Sequence, residues 1–410
     1  MSKHRALVVL GLVVSVMLER AAFYGVRSAL FPWMAGDLGM DEGEAVEALH
    51  LAVTSVAFAP LLGGVLALAV GPRVTLVVGA VVAALGYGVL AVTVAGPPIY
   101  GLSLVTIGAG LFRPAWLVAL AREFAYPHGN RRTAVLLMAF VGIDLATMLA
   151  TIGALFVQNA GGAGTVFGVG AGVSVLVAAL TAGVVFMRKR VGPKADVATF
   201  GGRPEVGAGV LLLLLLPCYL ATGALDTLLS AARSDVSFES RRLLTLLGPV
   251  TTVAVTLIAA AVFFVAARKR ARPLALPVIG GGLVVTALGV GVGSLADLES
   301  GLTALPLVGV ILMEVGEAVV VCVALARVAA DTRPRTATMV LALFLVAPRG
   351  LGLLALAAPD LTVTRIVAVA GAALTLLAGV GRLVFAGRMQ RYFYTPRVEA
   401  AEGLVLDGAA

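Results

Sequence analysis

Residues 18–33 read LERAAFYGVRSALFPW and lie inside an apolar run that begins at Ala6. Three charged residues interrupt this run, Glu19, Arg20 and Arg27, where a membrane-spanning helix would cross the lipid. Because a charge at bilayer depth costs a few kcal/mol at least, such side chains face a bundle interior or a water-filled cavity. At about 100° per residue, the three share one face of the helix. The stretch therefore predicts a membrane helix with a polar stripe of mixed sign, which is either a structural ion pair or part of a binding site.

The composition of the whole chain is that of a membrane protein. Of the 410 residues, 60% are hydrophobic and 13% are charged, and the mean hydropathy is +1.06, whereas a soluble protein carries about 25% charged residues. Cys218 and Cys322 lie in apolar runs without a second Cys or His at ligand spacing, which predicts neither a disulfide nor a metal site. The sequence shows no phosphate-binding loop or nucleophile triad, so we expect neither an enzyme nor a cofactor.

Apolar runs long enough to cross a bilayer occur twelve times, since a spanning helix needs about 20 such residues. We number them as spans 1 to 12, near residues 6–34, 46–69, 73–95, 98–121, 134–157, 164–187, 206–231, 243–267, 274–296, 303–327, 336–357 and 363–386. The polar segment 188–205 divides them into two groups of six. The sequence therefore predicts an all-α polytopic membrane protein with an N-terminal six-helix bundle at 1–187, a linker at 188–205, a C-terminal six-helix bundle at 206–387 and a tail at 388–410.

The loops between the spans predict the orientation. The net charge of +8 comes from basic residues that gather at 3–5, 122–132, 188–203, 268–272, 333–335 and 388–397, all on one side. The opposite side carries acidic residues at 37–44 and 297–299, with one basic exception at 233–242. Basic loops remain in the cytoplasm, so we expect both termini there and the chain in the inner (cytoplasmic) membrane. The same distribution makes the lipid bilayer a partner and argues against nucleic acid.

The opening stretch resembles the signature of the proton-dependent oligopeptide transporters (the POT family), Glu-x-x-Glu-Arg-Phe-x-Tyr-Tyr-Gly, within the major facilitator superfamily. The corresponding positions here hold Val16, Glu19, Arg20, Ala21, Phe23, Tyr24 and Gly25. In that family the paired carboxylates take part in proton coupling, and an Arg further on reaches the peptide carboxylate. The resemblance implies Glu19 as a proton-coupling residue, and Arg27 with Tyr24 as substrate-binding residues. Val16 stands in place of the first Glu, which leaves the coupling step open.

Span 2 extends the resemblance. Residues 60–67, PLLGGVLA, match a family stretch that leads into a loop motif of the superfamily. The gating Asp of that motif is Leu68 here, so this gate is weakened or rebuilt. His50 stands ten residues before Pro60, where some peptide transporters carry a proton-sensing His. It is either a proton relay, because an imidazole titrates near neutrality, or a helix-end residue that faces water.

Spans 4 and 5 each carry one charged residue that differs from the residue of the family at that position. The family motif Gly-x-Gly-x-x-Lys-Pro reads GAGLFRP at 108–114, so Arg113 replaces a Lys. Arg113 can clamp a carboxylate in a bidentate fork but cannot act as a titrating relay. Asp144 stands where the family carries an Asn. It could accept protons, bind an ammonium group, or pair with Arg20 or Arg113.

In the second group of spans, three carboxylates and one arginine stand out. Glu317 on span 10 matches a family Gly-Glu whose carboxylate binds the peptide amine and pairs with span 4. Glu314 lies about 60° away on the same face. Asp226 on span 7 corresponds to an acidic family residue that bonds the span 1 arginine. Arg349 has no family counterpart, and we expect it to pair with Glu314 or Glu317.

Together these features predict a secondary transporter that carries small peptides, or similar zwitterionic or anionic solutes, by proton-coupled symport and alternating access. A proton-driven exporter of a drug-like compound or secondary metabolite is the alternative within transport. A receptor or scaffold that keeps the fold without transport is the alternative from another class.

Overall fold

The computed structural model of the protein describes residues 3–92, 99–123, 129–191, 204–232, 238–269, 274–295, 304–332, 334–356 and 360–394. Within these ranges the chain forms helices joined by short turns and no strands. Ten of the described helices are long and apolar enough to cross a membrane, and a further apolar helix, Thr336–Gly352, is shorter. One of the ten, Asn130–Met187, is long enough for two spans and breaks at Gly162. The all-α polytopic fold is confirmed, and the helices are consistent with twelve spans.

The bounds of the helices follow the apolar runs closely. Span 1 is Lys3–Pro32, followed by a π-helical turn at Trp33–Asp37; span 2 is Glu42–Phe58 with Pro60–Val70; span 3 is Pro72–Val92; and span 4 is Ile99–Ala121. Spans 5 and 6 are the two parts of Gly129–Val191 on either side of Gly162. The remaining spans, 7 to 12, are Pro204–Ala232, Phe238–Arg268, Ala275–Leu295, Ala304–Asp331, Pro334–Leu356 and Leu361–Tyr394.

Local chemistry explains where several of these helices begin and end. Asp41 precedes span 2, and its carboxylate accepts a hydrogen bond from the Gly43 N–H at 2.9 Å, which satisfies an unpaired donor of the first turn. Gly71 ends span 2 at φ 87°, and Gly162 separates spans 5 and 6 at φ 73°. A side chain at either position would be strained, so glycine allows the chain to turn there.

The apolar core is joined at one end of the molecule and divided at the other. The joined core contains buried residues of both groups of spans, from Leu12 and Leu120 in the first group to Ile279 and Ala329 in the second. It lies at the end that carries the N-terminus and the 4–5, 8–9 and 10–11 loops. Towards the opposite end, the buried residues described form two separate cores, one within spans 1 to 6 and one within spans 7 to 12.

Specific contacts hold the two groups of spans together at the joined end. A Cβ added to Gly64 of span 2 would lie only 3.0 Å from the Cα of Met339 on span 11, so these two helices pack backbone to backbone. The Arg122 guanidinium donates to the carbonyl oxygen of Thr332, and the Leu274 N–H donates to Oδ1 of Asn130 at 3.2 Å. The division of the chain into bundles at 187 and 206 remains a prediction.

Candidate functional site

The charged residues predicted from the sequence lie at the depth where the joined core gives way to the separate cores. On span 1, Val16 belongs to the joined core and Ala22 to the separate core of the first group, with Glu19 and Arg20 between them. On span 10, Glu317 lies likewise between residues of the joined core and residues of the second separate core. The charges therefore form a layer across the middle of the molecule.

Glu19 and Arg20 form a buried ion pair with each other. Nε and Nη2 of Arg20 donate to the two carboxylate oxygens of Glu19, and the residues are only 3% and 4% exposed. A bidentate fork of this kind is the geometry in which an arginine holds a carboxylate most strongly. Tyr87 of span 3 is also buried, and its phenol lies within electrostatic range of both partners.

Aromatic rings lie between the arginines of this region. The guanidinium carbons of Arg20 and Arg113 lie 5.0 and 5.6 Å from the centroid of the Phe23 ring. The ring of Tyr24 meets Phe23 edge to face at 5.2 Å, and the Arg27 guanidinium lies 5.8 Å from the Tyr24 centroid. Because the face of an aromatic ring attracts a cation, these rings hold three arginines together despite their like charges.

Arg27 also borders a small cavity. The cavity measures about 30 Å³ and lies among spans 1, 2, 3 and 4, with Phe23, Val56, Tyr87 and Val105 among the residues that line it. Arg27 is the one charged residue in its lining. The described contacts of Arg27 thus belong to the first group of spans.

The two carboxylates of span 10 lie among polar groups of spans 7 and 8. Thr252 of span 8 donates a hydrogen bond to Glu314, which also lies within electrostatic range of Asp226. Asp226 is exposed. Glu317 is half-buried and lies within electrostatic range of Tyr219 on span 7. The second group of spans therefore presents several carboxylates at the central layer.

Asp144 faces the other group of spans. It is half-buried on span 5 and lies within electrostatic range of the Cys322 thiol on span 10. The structure decides one alternative left open by the sequence, because Arg20 is bound by Glu19 rather than by Asp144. The role of Asp144 as a proton acceptor or an ammonium ligand stays a prediction.

For two predicted site residues, the structure describes the backbone but not the side chain. His50 belongs to the helix of span 2 and Arg349 to that of span 11. Their side chains lie outside the described residues, so the roles assigned to them stay predictions.

Sequence reasoning missed the hydroxyl groups that surround the charges. Tyr87, Tyr219 and Thr252 occur in apolar runs with no charged neighbour to mark them. Their residue types could have marked them as candidates, because a phenol or hydroxyl at membrane depth needs a polar partner. The sequence did not show which charges these groups would lie near, because those of spans 3, 7 and 8 lie near charges on other helices.

Comparison with known proteins finds similarity to transporters. No family model matches the chain. A stretch of 141 residues, 32% of the chain, is 28% identical to dipeptide and tripeptide permease B of Xenorhabdus bovienii. A stretch of 179 residues, 42% of the chain, is 29% identical to the peptide transporter YePEPT of Yersinia enterocolitica. These matches span 27% and 35% of the two relatives.

Solved structures match over nearly the whole length. The POT family transporter PepTSo superimposes with a TM-score of 0.60 at 17% identity, covering 93% of this chain and 98% of that one. The human organic anion transporter MFSD10 (TETRAN) gives a TM-score of 0.60 at 16% identity and covers 95% and 100%. At such identities the likeness concerns the fold.

The fold is that of a helical multi-pass membrane protein, and it resembles the folds of these solved transporters. The resemblance to the POT family, first indicated by residues 16–25, is confirmed: stretches of the chain are 28% and 29% identical to two peptide transporters, and a POT family transporter shares its fold. The relatives and structural neighbours are transporters rather than enzymes, in agreement with the prediction.

Proposed function

We propose that this chain is a secondary transporter that carries small peptides, or similar zwitterionic solutes, across the inner membrane together with protons. The observation that supports this most directly is the core, which is joined at one end and divided at the other, with the charges between. A transporter that alternates its access needs a central site and two groups of helices that separate at one end while they close at the other.

In this proposal the two moving parts are the six-helix bundles at 1–187 and 206–387, and both termini lie in the cytoplasm. The joined end is then the cytoplasmic end, and the structure corresponds to a state closed towards the cytoplasm. The contacts of Gly64, Arg122 and Asn130 with the second group of spans belong to that closed state. They must break when the transporter turns inward.

The distribution of charge supports a solute with an anionic and a cationic end. Arg27 and Arg113, with Tyr24 beside them, lie on spans 1 and 4 and would hold a carboxylate, because guanidinium groups bind carboxylates in a bidentate geometry. Glu317 and Asp226 of the second group of spans, together with Asp144 of span 5, would hold the amine. A zwitterionic peptide satisfies both sets at once.

Proton coupling requires a group that changes its protonation state between the two conformations. The arginines cannot serve, because a guanidinium stays charged at any relevant pH. Glu19 can release Arg20 and accept a proton instead, which makes it the coupling residue in this proposal. Asp144, Glu317 and His50 are the further proton-binding groups, and Arg20, Glu314 and Arg349 form the ion-pair network.

The test is uptake of labelled di- and tripeptides into proteoliposomes under an imposed pH gradient. We expect accumulation that collapses when a protonophore abolishes the gradient, and little uptake by Arg27→Lys, whose point charge cannot form the fork. Efflux of a drug-like compound driven by pH, without peptide uptake, would identify an exporter instead. Silence in both directions would identify a receptor or scaffold.

A further inference from the structure

Two faces of span 5 have clear surroundings. One packs against span 1, because a Cβ added to Gly25 would lie 3.6 Å from the carbonyl oxygen of Ala150 and 3.8 Å from the Cβ of Ala154. Another is apolar and open, with Leu149 70% exposed and Ile152 52% exposed, as expected of a surface that contacts lipid. Neither face carries a charge.

The third face of span 5 is polar and lies between the two groups of spans. Asp144, Thr147 and Thr151 follow one another at helical spacing on this face, and all three are half-buried. Asp144 lies within electrostatic range of Cys322 on span 10, so the face is directed at the second group. It begins beside Phe140, which packs against the joined core, and continues towards the end where the cores are separate.

Asp144 differs from its neighbours in the central layer in how its charge is met. Glu19 is held by the guanidinium of Arg20. Glu314 accepts a hydrogen bond from Thr252. Asp144 forms neither a hydrogen bond nor an ion pair within the described part of the chain. A carboxylate shielded from water is costly unless a cation or a hydrogen-bond donor meets it, so a ligand cation at this position would be bound favourably.

We infer that Asp144 is a separate subsite for a second cationic group of the solute, and that the protein prefers peptides with a lysine or arginine side chain. The inference deepens the proposed function and rests on it for the identity of the solute. Arg27 and Arg113 account for the carboxylate of such a peptide, and Glu317 and Asp226 account for its amine. Asp144 then remains for a third charge, which a dipeptide of two neutral residues lacks.

The polar face of span 5 suits the end of a basic side chain. A lysine ammonium has three donors on a flexible four-carbon stem, so it can bind a carboxylate away from the charges of the peptide backbone. Thr151 Oγ1 donates to the carbonyl oxygen of Thr147 at 2.9 Å, which leaves the lone pairs of this hydroxyl as acceptors. The face therefore offers one anionic group and a neutral acceptor to a single cation.

The experiment compares Ala-Lys and Ala-Gln as competitors of labelled dialanine uptake in proteoliposomes. For the wild type we expect Ala-Lys to compete about tenfold better, the effect of one hydrogen bond to a charged group. Asp144→Asn should make the two peptides equal, whereas Asp144→Glu keeps the carboxylate and should keep the preference.

Asp37→Asn is the matched control, because Asp37 is an exposed carboxylate at the end of the π-helical turn, outside the central layer. It should leave the ratio unchanged, which separates binding at Asp144 from a general attraction of cationic solutes. Equal competition by both peptides in the wild type, or a preference that persists in Asp144→Asn, overturns the inference. Dialanine uptake in the same vesicles then still leaves the proposed function standing.

A second measurement does not depend on transport. Ala-Lys should raise the melting temperature of the purified protein in detergent more than Ala-Gln does, and Asp144→Asn should abolish this difference. If no peptide is carried but the difference is found, the subsite stands and the proposed function fails. If cadaverine, a diamine without a peptide backbone, stabilises the wild type as well as Ala-Lys does, the ligand is a free diamine and the inference is overturned. Equal stabilisation by Ala-Lys and Ala-Gln also overturns it.

Discussion

Glu19 and Arg20 are neighbours in the sequence, and each neutralises the other at a depth where both are almost fully shielded from solvent. One turn earlier on span 1 lies Val16, which is 2% exposed and belongs to the joined core. A carboxylate in place of Val16 would lie in apolar surroundings. The single remaining carboxylate of the signature is therefore already engaged by a cation.

Glu19→Gln should abolish accumulation driven by the proton gradient while exchange of solute across the membrane continues. Removing one partner of a buried ion pair leaves an uncompensated charge, which typically costs about 3–5 kcal/mol, so the melting temperature should fall as well. The double variant Glu19→Gln, Arg20→Gln separates the two effects, since it should recover stability without recovering coupling. Accumulation by Glu19→Gln with normal pH dependence would show that another group couples the protons.

Phe23 should control how Arg113 is presented to the solute. In Phe23→Leu the cation–π contacts of Arg20 and Arg113 are lost, each worth about 0.5–2 kcal/mol, so affinity for a carboxylate solute should fall about threefold to tenfold. Phe23→Tyr keeps the ring and should bind like the wild type. Competition by free acid and amide forms of one peptide measures the effect, because only the free acid should lose affinity. An equal loss for both forms would assign Phe23 a packing role alone.

Span 2 shows how a helix can carry two different contacts on adjacent residues. A side chain at Gly63 would meet the backbone of span 4 in the same group, whereas one at Gly64 would meet span 11 in the other group. The family-like PLLGG stretch therefore contributes both to the packing within one group and to the contact between groups. Leu68, which replaces the gating Asp, is 41% exposed and makes no substitute for it. At this helix the two groups of spans meet by close backbone approach instead.

Gly64→Ala should keep spans 2 and 11 apart. Its Cβ would lie 3.0 Å from the Met339 Cα, a backbone atom that cannot swing aside. We expect spin labels at Leu68 and Leu343, both exposed, to show a longer distance distribution and transport to slow. Gly88→Ala is the matched control on span 3, because a Cβ there meets no atom within 4 Å. An unchanged distribution in Gly64→Ala would mean that the contact yields without opening the joined end.

The two ends of the protein differ in their apolar cores. The joined core lies at one end, and the two separate cores lie towards the other. The hydrogen bonds of Arg122 with Thr332 and of Asn130 with Leu274 link the groups of spans at the joined end. A net hydrogen bond contributes only about 0.5–1.5 kcal/mol, so each bond is weak enough to break in the conformational change that we propose. Their loss should shift the balance between conformations without unfolding either group.

Asn130→Ala should shift this balance about twofold to tenfold towards the state open at the joined end. A cysteine introduced at Leu341, which is fully buried in the joined core, should then react faster with a membrane-impermeant maleimide. The reaction should speed up in inside-out vesicles and not in right-side-out vesicles if that end faces the cytoplasm. Asn130→Asp retains an acceptor for the Leu274 N–H and should react at the wild-type rate. Equal rates in all three proteins would show that the bond does not hold the end closed.

The membrane fold was readable from the sequence because its causes are local. The length of each apolar run determines a spanning helix, the basic loops predict its orientation, and a charge such as Arg27 inside a run requires a protected interior. Helical periodicity alone placed Glu19, Arg20 and Arg27 on one face of span 1.

What only the tertiary structure decided is which side chains meet. Arg20 takes Glu19 rather than Asp144, and Phe23 lies close to guanidinium groups from two helices. Arg27 borders a cavity built from four spans, and the apolar core joins at one end only. These features depend on distances between helices that are far apart along the chain, and a pattern of hydrophobicity along one helix carries no information about the rotation or tilt of its neighbours.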